Sequence, residues 1–564
     1  MIGALRAQMF SGDSIAAPLR HPIFRRIWLA SVLSNLGILI QGVGAAWAMT
    51  QMASSADKVA LVQTALSLPI VLIAMPAGAI ADMYDRRIVA LVALCIALSG
   101  ATALAALTAL GLVTPNLLLG LCFAVGCGMA LMGPAWQSSV AEQVPVEVLP
   151  AALALNGISY NIARSIGPAI GGIVVATAGS EAAFALNAML YLPLITALFL
   201  WKRVVEPSRL PPEKLRRAMV SGVRYIANSP SIKIVLARTV LVGLLGGAIL
   251  ALLPLIARDR LHGGAGLYGV MLGAFGIGAV LGALNLTKLR RYLNAEAALS
   301  VCTIAMGAGF AAVAVSRTPV WTMAALVVAG SGWTLAWTLL NIGVQLSAPR
   351  WVSGRALASY QAASSGGIAL GAWGWGHLTN LAGVETALFT AGALMLASPL
   401  IGLWLRMPRI GARGEETVVL DDPEVRLELT GRSGPVVVEI EYRVEQDNAL
   451  AFHSLMHEVQ MFRQRNGAYS WTIARDVADP ELWTERFRCP TWFDYLRQRN
   501  RATTSETATE QQAEAFHIGP GPVRVRRMLE RPFGSVRSRD HAIDTVPQAE
   551  PIAATTASPA IEAA

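Results

Sequence analysis

Long apolar stretches separated by short polar segments make up the chain from residue 27 to residue 405. A helix needs roughly 20 apolar residues to cross a bilayer core about 30 Å thick. Stretches near that length occur at residues 27–49, 59–81, 88–110, 116–140, 151–176, 182–200, 234–257, 267–287, 297–315, 321–346, 356–382 and 386–405. The pattern predicts an all-α membrane domain with twelve transmembrane helices.

The polar segments divide the chain into parts. We expect a cytoplasmic N-terminal segment (1–26), a six-helix bundle (27–201), a basic cytoplasmic linker (202–233), a second six-helix bundle (234–412), a folded C-terminal domain (430–535) and a disordered tail (536–564). We expect no cleaved signal peptide, because no apolar core with a cleavage site precedes the first stretch. Within the linker, residues 212–227 predict a basic amphipathic helix at the membrane surface, with a solvated linker as the alternative.

The second set of six stretches repeats the first at an offset of 204 residues. The segment 78–87 falls on the segment 282–291, and Gly167 falls on Gly371. A duplicated six-helix unit is typical of secondary transporters whose two halves move about a central site. We therefore expect two related six-helix bundles.

Charged residues are scarce and unevenly placed. Of the 564 residues, 54% are hydrophobic and 14% are charged, and the formal net charge is +9. Before the C-terminal domain, nineteen Lys and Arg residues lie in the N-terminal segment, the linker and the loops on that side, against four in the opposite loops. This asymmetry explains the net charge without nucleic acid binding. It predicts a multi-pass protein of the cell inner membrane with both termini cytoplasmic.

The five cysteines show no spacing typical of metal ligands or of a redox pair. Four of them lie in apolar stretches, where cysteine behaves as a small buried hydrophobe. We therefore predict no metal and no cofactor. The expected partners are the lipid bilayer and a small-molecule substrate.

The loop after the second predicted helix carries Gly78, Asp82, Arg86 and Arg87. This pattern resembles the signature between helices 2 and 3 of the major facilitator superfamily, with Asp85 in place of a glycine. The resemblance implies the major facilitator fold, in which these residues form a conformational latch. A glycine also permits close helix approach. The alternative is that the arginines only set the topology.

The fifth predicted helix contains Gly167, Pro168, Gly171 and Gly172. This pattern is similar to the Gly-Pro-x-x-Gly-Gly signature of antiporters in the same superfamily, although two earlier glycines of that signature are alanines here. Together with residues 25–28, 142–145 and 345–350, it gives a narrower resemblance to the transmembrane secretion effector branch. That resemblance covers residues 20–410.

The secretion effector resemblance implies a secondary transporter that exports a small amphiphilic molecule, such as a siderophore, drug or secondary metabolite, by alternating access. An uptake permease of the same fold is one alternative. A membrane-anchored protein similar to small monooxygenases is another. Twelve helices with an internal repeat exceed what an anchor needs, so we predict a transporter and not an enzyme.

Arg164 lies thirteen residues after Ala151, about 20 Å into the fifth helix. A charged side chain at that depth costs at least about 2.5–3.5 kcal/mol unless it faces water or a partner. It therefore indicates a substrate or coupling site, with a structural tie between helices as the alternative. The predicted transport-pathway residues are Arg164, Asn156, Tyr160, Asn161, Asn35 and Gln41.

No Asp or Glu lies inside any of the twelve predicted spans. Proton-coupled transporters usually carry a buried carboxylate, because burial shifts its pKa into the working range. Glu142, at the end of the fourth span, and His377, in the eleventh, are the nearest candidates for proton coupling. A lone helix histidine is more often a packed residue, so proton antiport is implied by the family resemblance alone.

The C-terminal domain shows strand and helix patterns in the order βαββαβ over about 95 residues, which predicts an α+β ferredoxin-like fold. It resembles the dimeric α/β-barrel family that includes antibiotic-biosynthesis monooxygenases, and this implies dimerisation through the domain. The residues that could line a catalytic pocket are Trp471, Arg475, His453, His457 and Trp492. We favour a regulatory or dimer-forming domain over catalysis.

Overall fold

The computed structural model describes most of the chain. It covers residues 17–53, 55–140, 142–145, 148–202, 215–349, 352–408, 423, 425–427 and 429–530. The first 16 residues, linker residues 203–214 and the predicted disordered tail (536–564) lie outside the described residues. So do the side chains of Asp82 and Asn161.

Eleven α-helices precede the C-terminal domain in the described part of the chain. They are α1 (Pro22–Met52), α2 (Ala56–Met83), α3 (Arg86–Ala109), α4 (Pro115–Val140), α5 (Leu149–Leu200), α6 (Leu215–Ala227), α7 (Pro230–Leu255), α8 (Ala265–Tyr292), α9 (Ala295–Val315), α10 (Pro319–Ser347) and α11 (Ser353–Ala397). Ten of these, all but the short α6, are long and apolar enough to cross a membrane.

Two of the ten helices are far longer than a bilayer is thick. α5 and α11 contain 52 and 45 residues, which corresponds to about 78 and 68 Å of helix. Each turns at one glycine, Gly179 (φ 83°, ψ 171°) and Gly383 (φ 84°, ψ 161°). Glycine adopts this left-handed conformation because it has no Cβ. The two turns lie 204 residues apart, so the sequence repeat is also a repeat of backbone conformation.

The helices form two halves, α1–α5 and α7–α11. The main contacts between the halves join α5 to α8 and α11 to α2, which are equivalent pairs under the 204-residue offset. At the first crossing the backbones nearly touch. An added Cβ on Gly172 would lie 2.5 Å from the Cα of Gly269. Small residues at both positions are therefore needed for this approach.

The halves meet at one end of the bundle. We call the end at which α1, α3, α5, α7, α9 and α11 begin the amino-terminal face, and the other end the opposite face. Hydrogen bonds between described residues join the halves on one side. They link Ala56 to Asn380, Thr64 to Ala369, and Arg258 to Thr50. All three lie on the side of the opposite face, which is therefore closed.

The amino-terminal face is open along α2 and α5. The position that a Cβ would take on Gly78, near the end of α2, has no described neighbour within 4 Å. No close helix approach to Gly78 is therefore seen among the described residues. On α5, Leu153 and Tyr160 are about half exposed, whereas Pro168 and Gly172 are buried.

A four-stranded sheet with three helices forms the C-terminal domain, which we call the sheet domain. Its elements are β1 (Val436–Arg443), α12 (Ala449–Asn466), β2 (Tyr469–Arg475), β3 (Leu482–Cys489), α13 (Trp492–Asn500), α14 (Thr504–Ala515) and β4 (Arg524–Leu529). The strand order is β2-β3-β1-β4, and every neighbouring pair is antiparallel. Apolar residues of one sheet face, such as Val438 and Phe487, pack with Phe452 of α12 in a common core.

Helix α14 was not predicted from the sequence. Its composition is polar, so it lacks the apolar periodicity used to identify helices. The missed signal is a capping box, in which Thr503 accepts from the Glu506 amide and Glu506 accepts from the Thr503 amide. This motif stabilises the first turn.

Helix α6 connects the sheet domain to the helical halves. Arg224 Nη1 of α6 donates to the carbonyl of Gly467 at 3.0 Å, and the Arg465 guanidinium lies 5.2 Å from the Tyr225 ring centroid. α6 also contacts α2 of the first half and α11 of the second, where its glycine packs on Arg355. The helix predicted at the membrane surface is thus in contact with three parts of the protein.

Candidate functional site

The first part of α5 presents two stripes of opposite character. Asn156, Tyr160 and Arg164 are four residues apart, so they follow one stripe of the helix. A second stripe is apolar and exposed, and it consists of Ile158, Ile162, Ile166 and Ile173. Since apolar side chains favour lipid and polar side chains favour water, we expect the polar stripe to face the space between the halves.

Arg164 occupies the middle of this part of α5. It is fifteen residues from Leu149 and fifteen from the turn at Gly179. Its side chain is half-buried and makes no hydrogen bond or ion pair with any residue that the structure describes. The structural tie between helices is therefore absent here. An ionised side chain at this depth is costly unless it faces water or a partner.

The other polar residues of the predicted pathway differ in accessibility. Asn156 is half-buried and its Oδ1 has no described partner, whereas Tyr160 is about half exposed. Asn35 of α1 donates to Ser159 Oγ at 3.3 Å. These residues lie on or beside the polar stripe, and their role in a pathway stays a prediction.

Gln41 lies in a different environment. It is buried and accepts a hydrogen bond from Asn187 on the last part of α5. Asn187 is also buried, so this pair links α1 to α5 inside the first half. This buried hydrogen bond is typical of a structural contact between helices rather than of a substrate-binding residue.

The antiporter-like motif faces two neighbours at once. Gly167 and Gly171 pack on α1, at Leu39 and Ile40. The other two residues of the motif, Pro168 and Gly172, face α8 at the crossing with Gly269 described above. The motif therefore lies where the first half closes against the second.

The predicted latch residues take part in contacts within the first half. Arg86 Nη1 forms an ion pair with Glu142 Oε1 at 2.8 Å. Asp85, which replaces the glycine of the signature, accepts from the amide of Arg87 and caps α3. The Arg87 guanidinium donates to the carbonyl of Phe199. The latch role of Gly78, Asp82, Arg86 and Arg87 stays a prediction.

The two candidates for proton coupling are at opposite ends of the bundle. Glu142 is part of the ion pair with Arg86 at the amino-terminal face. His377 is exposed on α11, three residues before Asn380, which bonds to Ala56 at the opposite face. The structure does not bring them together, and neither role is tested by these positions.

An ion pair between a buried arginine and a half-buried glutamate of the second half was missed in the sequence. Arg238 of α7 is 3% exposed and donates to Glu296 Oε1 of α9 at 2.9 Å. It also donates to the carbonyl of Leu405, and Glu296 accepts from the amide of Met407. The sequence feature that could have revealed the pair is Arg238 itself, a lone arginine near the start of an apolar span. The network joins α7, α9 and the segment after α11.

The residues proposed to line a catalytic pocket in the sheet domain are mainly part of its packing. The Trp471 indole donates to Glu485 at 2.9 Å, and Arg475 lies over the ring of Trp483. Trp492 packs near Tyr495. Glu485 is fully buried and pairs with Arg463, so Trp471 is bound to the domain core, whereas Arg475, His453 and His457 are exposed.

Comparison with known proteins identifies the family. A family model described as transmembrane secretion effector matches residues 13–533. The chain belongs to the transmembrane secretion effector family. The match includes both helical halves and the sheet domain. Within the described residues, the sheet domain ends its last strand at Leu529, so it falls inside the family pattern.

Curated relatives and solved structures agree with this family. The chain is 28% identical over 409 residues to the enterobactin exporter EntS of Shigella flexneri, covering 70% of this chain and 93% of the exporter. The Citrobacter koseri exporter of the same name is also 28% identical, over 408 residues, with 69% and 92% covered. These alignments therefore include the greater part of this chain, but not all of it.

The fold of the helical part occurs in solved transporters. The nucleoside transporter NupG aligns with a TM-score of 0.54 at 14% identity, covering 68% of this chain and 100% of that one. A bacterial homologue of the human lysosomal transporter Spinster gives 0.54 at 14%, covering 69% and 95%. These structures show the fold, and together with the family match and the exporter relatives they make the secretion effector a multi-pass inner-membrane secondary transporter of the major facilitator superfamily, and not an enzyme.

Proposed function

We propose that this secretion effector exports a small amphiphilic molecule with an anionic group, of the siderophore, drug or secondary metabolite type. The observation that carries the proposal is the unpaired Arg164 halfway along α5, on a stripe that we expect to face the space between the halves. A guanidinium binds carboxylate and other oxyanions through paired hydrogen bonds. Tyr160 and Asn156 add an aromatic surface and an amide on the same stripe.

The expected orientation follows from the charge of the loops. The basic loops predict that the amino-terminal face is cytoplasmic, so a cavity open at that face would receive substrate from inside the cell. The turns at Gly179 and Gly383 would return α5 and α11 across the bilayer, giving twelve crossings. The likeness to enterobactin exporters supports export over uptake. Proton coupling of this export stays a prediction.

Export is tested by comparing metabolites in cells with and without the gene. We expect at least one anionic amphiphile to be depleted from the medium and enriched in the cells that lack the protein. Reintroducing the gene should restore the compound to the medium. No difference across a broad metabolite panel would contradict export, and the reverse distribution would indicate uptake.

The sheet domain is proposed to have the ferredoxin-like arrangement and to regulate transport. The antiparallel order β4-β1-β3-β2, with helices after β1 and after β3, supports this fold. Regulation is supported by α6, which contacts the sheet domain and both halves. Dimerisation through the sheet domain stays a prediction. The uncovered sheet face carries ion pairs such as Arg486 with Glu439, so a dimer through it would be salt-sensitive.

Replacing Arg224 by alanine should loosen the sheet domain from α6. The substitution removes the hydrogen bond to Gly467, and one such bond contributes about 1 kcal/mol, or roughly fivefold in the docked population. We expect faster hydrogen exchange in α6 and an altered transport rate in liposomes. Lys233→Ala, which removes a nearby cation from α7, is the matched control. Equal exchange in both variants would rule out coupling through this contact.

A further inference from the structure

A groove lies between α1 and the last part of α5, on the surface of the first half. Its volume is about 700 Å³, and eleven of its thirteen lining residues are apolar. The two polar lining residues are Arg26 and Thr196. The Thr196 hydroxyl already donates to the carbonyl of Leu192 at 2.8 Å. The groove is therefore an apolar channel with one charged side chain.

The charged side chain lies at the amino-terminal end of the groove. Arg26 is four residues after the start of α1, and Trp201, which also lines the groove, follows the end of α5. Arg26 and the neighbouring Lys202 are both exposed and form no ion pair with a described residue. Arginine and tryptophan together are typical of the level of lipid headgroups.

The length of the groove matches one leaflet. Along α1 it extends from Ile23 to Leu33, which is about 15 Å of helix. That distance is half of a hydrocarbon core about 30 Å thick. The groove therefore has about the length of one acyl chain layer, with the cation about 4.5 Å of helix from its amino-terminal end.

We infer that this groove binds one anionic phospholipid from the surrounding leaflet, with its phosphate on Arg26 and an acyl chain between α1 and α5. Arginine binds phosphate through paired hydrogen bonds, and Lys202 adds attraction for a net negative headgroup. A free anion would leave the apolar channel unfilled. The site is on the outside of the first half, so it is separate from the polar stripe of α5.

The inference is tested by native mass spectrometry of the detergent-purified full chain. Phosphatidylglycerol and phosphatidylethanolamine with identical acyl chains are titrated separately. We expect the wild type to retain one phosphatidylglycerol in preference to phosphatidylethanolamine. Arg26→Gln should reduce that preference about fivefold, the contribution of one cation near an anionic surface.

Arg25→Gln is the matched control, because Arg25 is exposed on the same turn but does not line the groove. It should leave the preference unchanged. Ala197→Phe, which narrows the apolar channel, should weaken binding of both lipids, and size-exclusion profiles show whether the variants are folded. Equal retention of both lipids by the wild type would overturn the inference, as would equal losses in Arg25→Gln and Arg26→Gln. If glycerol phosphate competes as strongly as phosphatidylglycerol, the groove is an anion site that does not bind a lipid chain.

Discussion

Arg164→Ala is expected to abolish transport while leaving membrane insertion and folding intact. Arg164 has no described partner that would be left unpaired by its removal. Removing a cation that costs at least about 2.5–3.5 kcal/mol at the bilayer centre should not lower stability. The measurements are substrate flux in proteoliposomes and the thermal unfolding temperature of the purified protein.

Arg164→Lys separates charge from geometry in this experiment. Lysine keeps the positive charge but lacks the planar fork that pairs with an oxyanion. We expect partial flux with a raised KM. Wild-type flux in Arg164→Ala would remove the residue from the proposed site. A large fall in thermal stability would instead assign it a structural role.

Gly172→Ala is expected to slow turnover at least about fivefold. Its Cβ would lie 2.5 Å from the Cα of Gly269 and 3.0 Å from the carbonyl oxygen of Ala265. These are backbone atoms that cannot rotate away, so α5 and α8 must separate. Overpacking of this kind costs about 1–3 kcal/mol, which would penalise the state closed at the opposite face. Flux in proteoliposomes measures the effect.

Gly120→Ala is the matched control for this substitution. Gly120 is an exposed glycine of α4, with no described atom within 4 Å of an added Cβ. The Gly120→Ala substitution raises helix propensity as much as Gly172→Ala does, but it causes no clash. Spin labels at positions 178 and 264 in a cysteine-free background should show longer distances in Gly172→Ala alone. Unchanged distances and flux would show that the close crossing is not needed.

Several features of this protein could be predicted from local sequence. The apolar stretches predicted membrane-crossing helices because their length has a fixed relation to bilayer thickness. The 204-residue offset predicted the repeat, which reappears as the turns at Gly179 and Gly383. The motifs predicted a secretion effector, and the family match confirms it. Arg164 stood out because charge is costly in an apolar span, and its role in transport stays a prediction.

Other features depended on contacts between distant residues. The sequence alone did not show that Arg164 lacks a partner or that Gln41 has one in Asn187. It also did not show the Arg238–Glu296 pair, whose members are 58 residues apart. Such pairs form only when helices pack, and many polar residues could satisfy the same local pattern.

The sequence by itself determined which segments are apolar enough for lipid, how they repeat and which family they represent. Each of these depends on composition, periodicity or motif spacing along the chain. Only the tertiary structure decided which face of the bundle is closed, that Gln41 pairs with Asn187 and where the sheet domain contacts α6. The physical reason is that these features depend on the relative positions of helices, and those are set by packing between residues far apart in sequence.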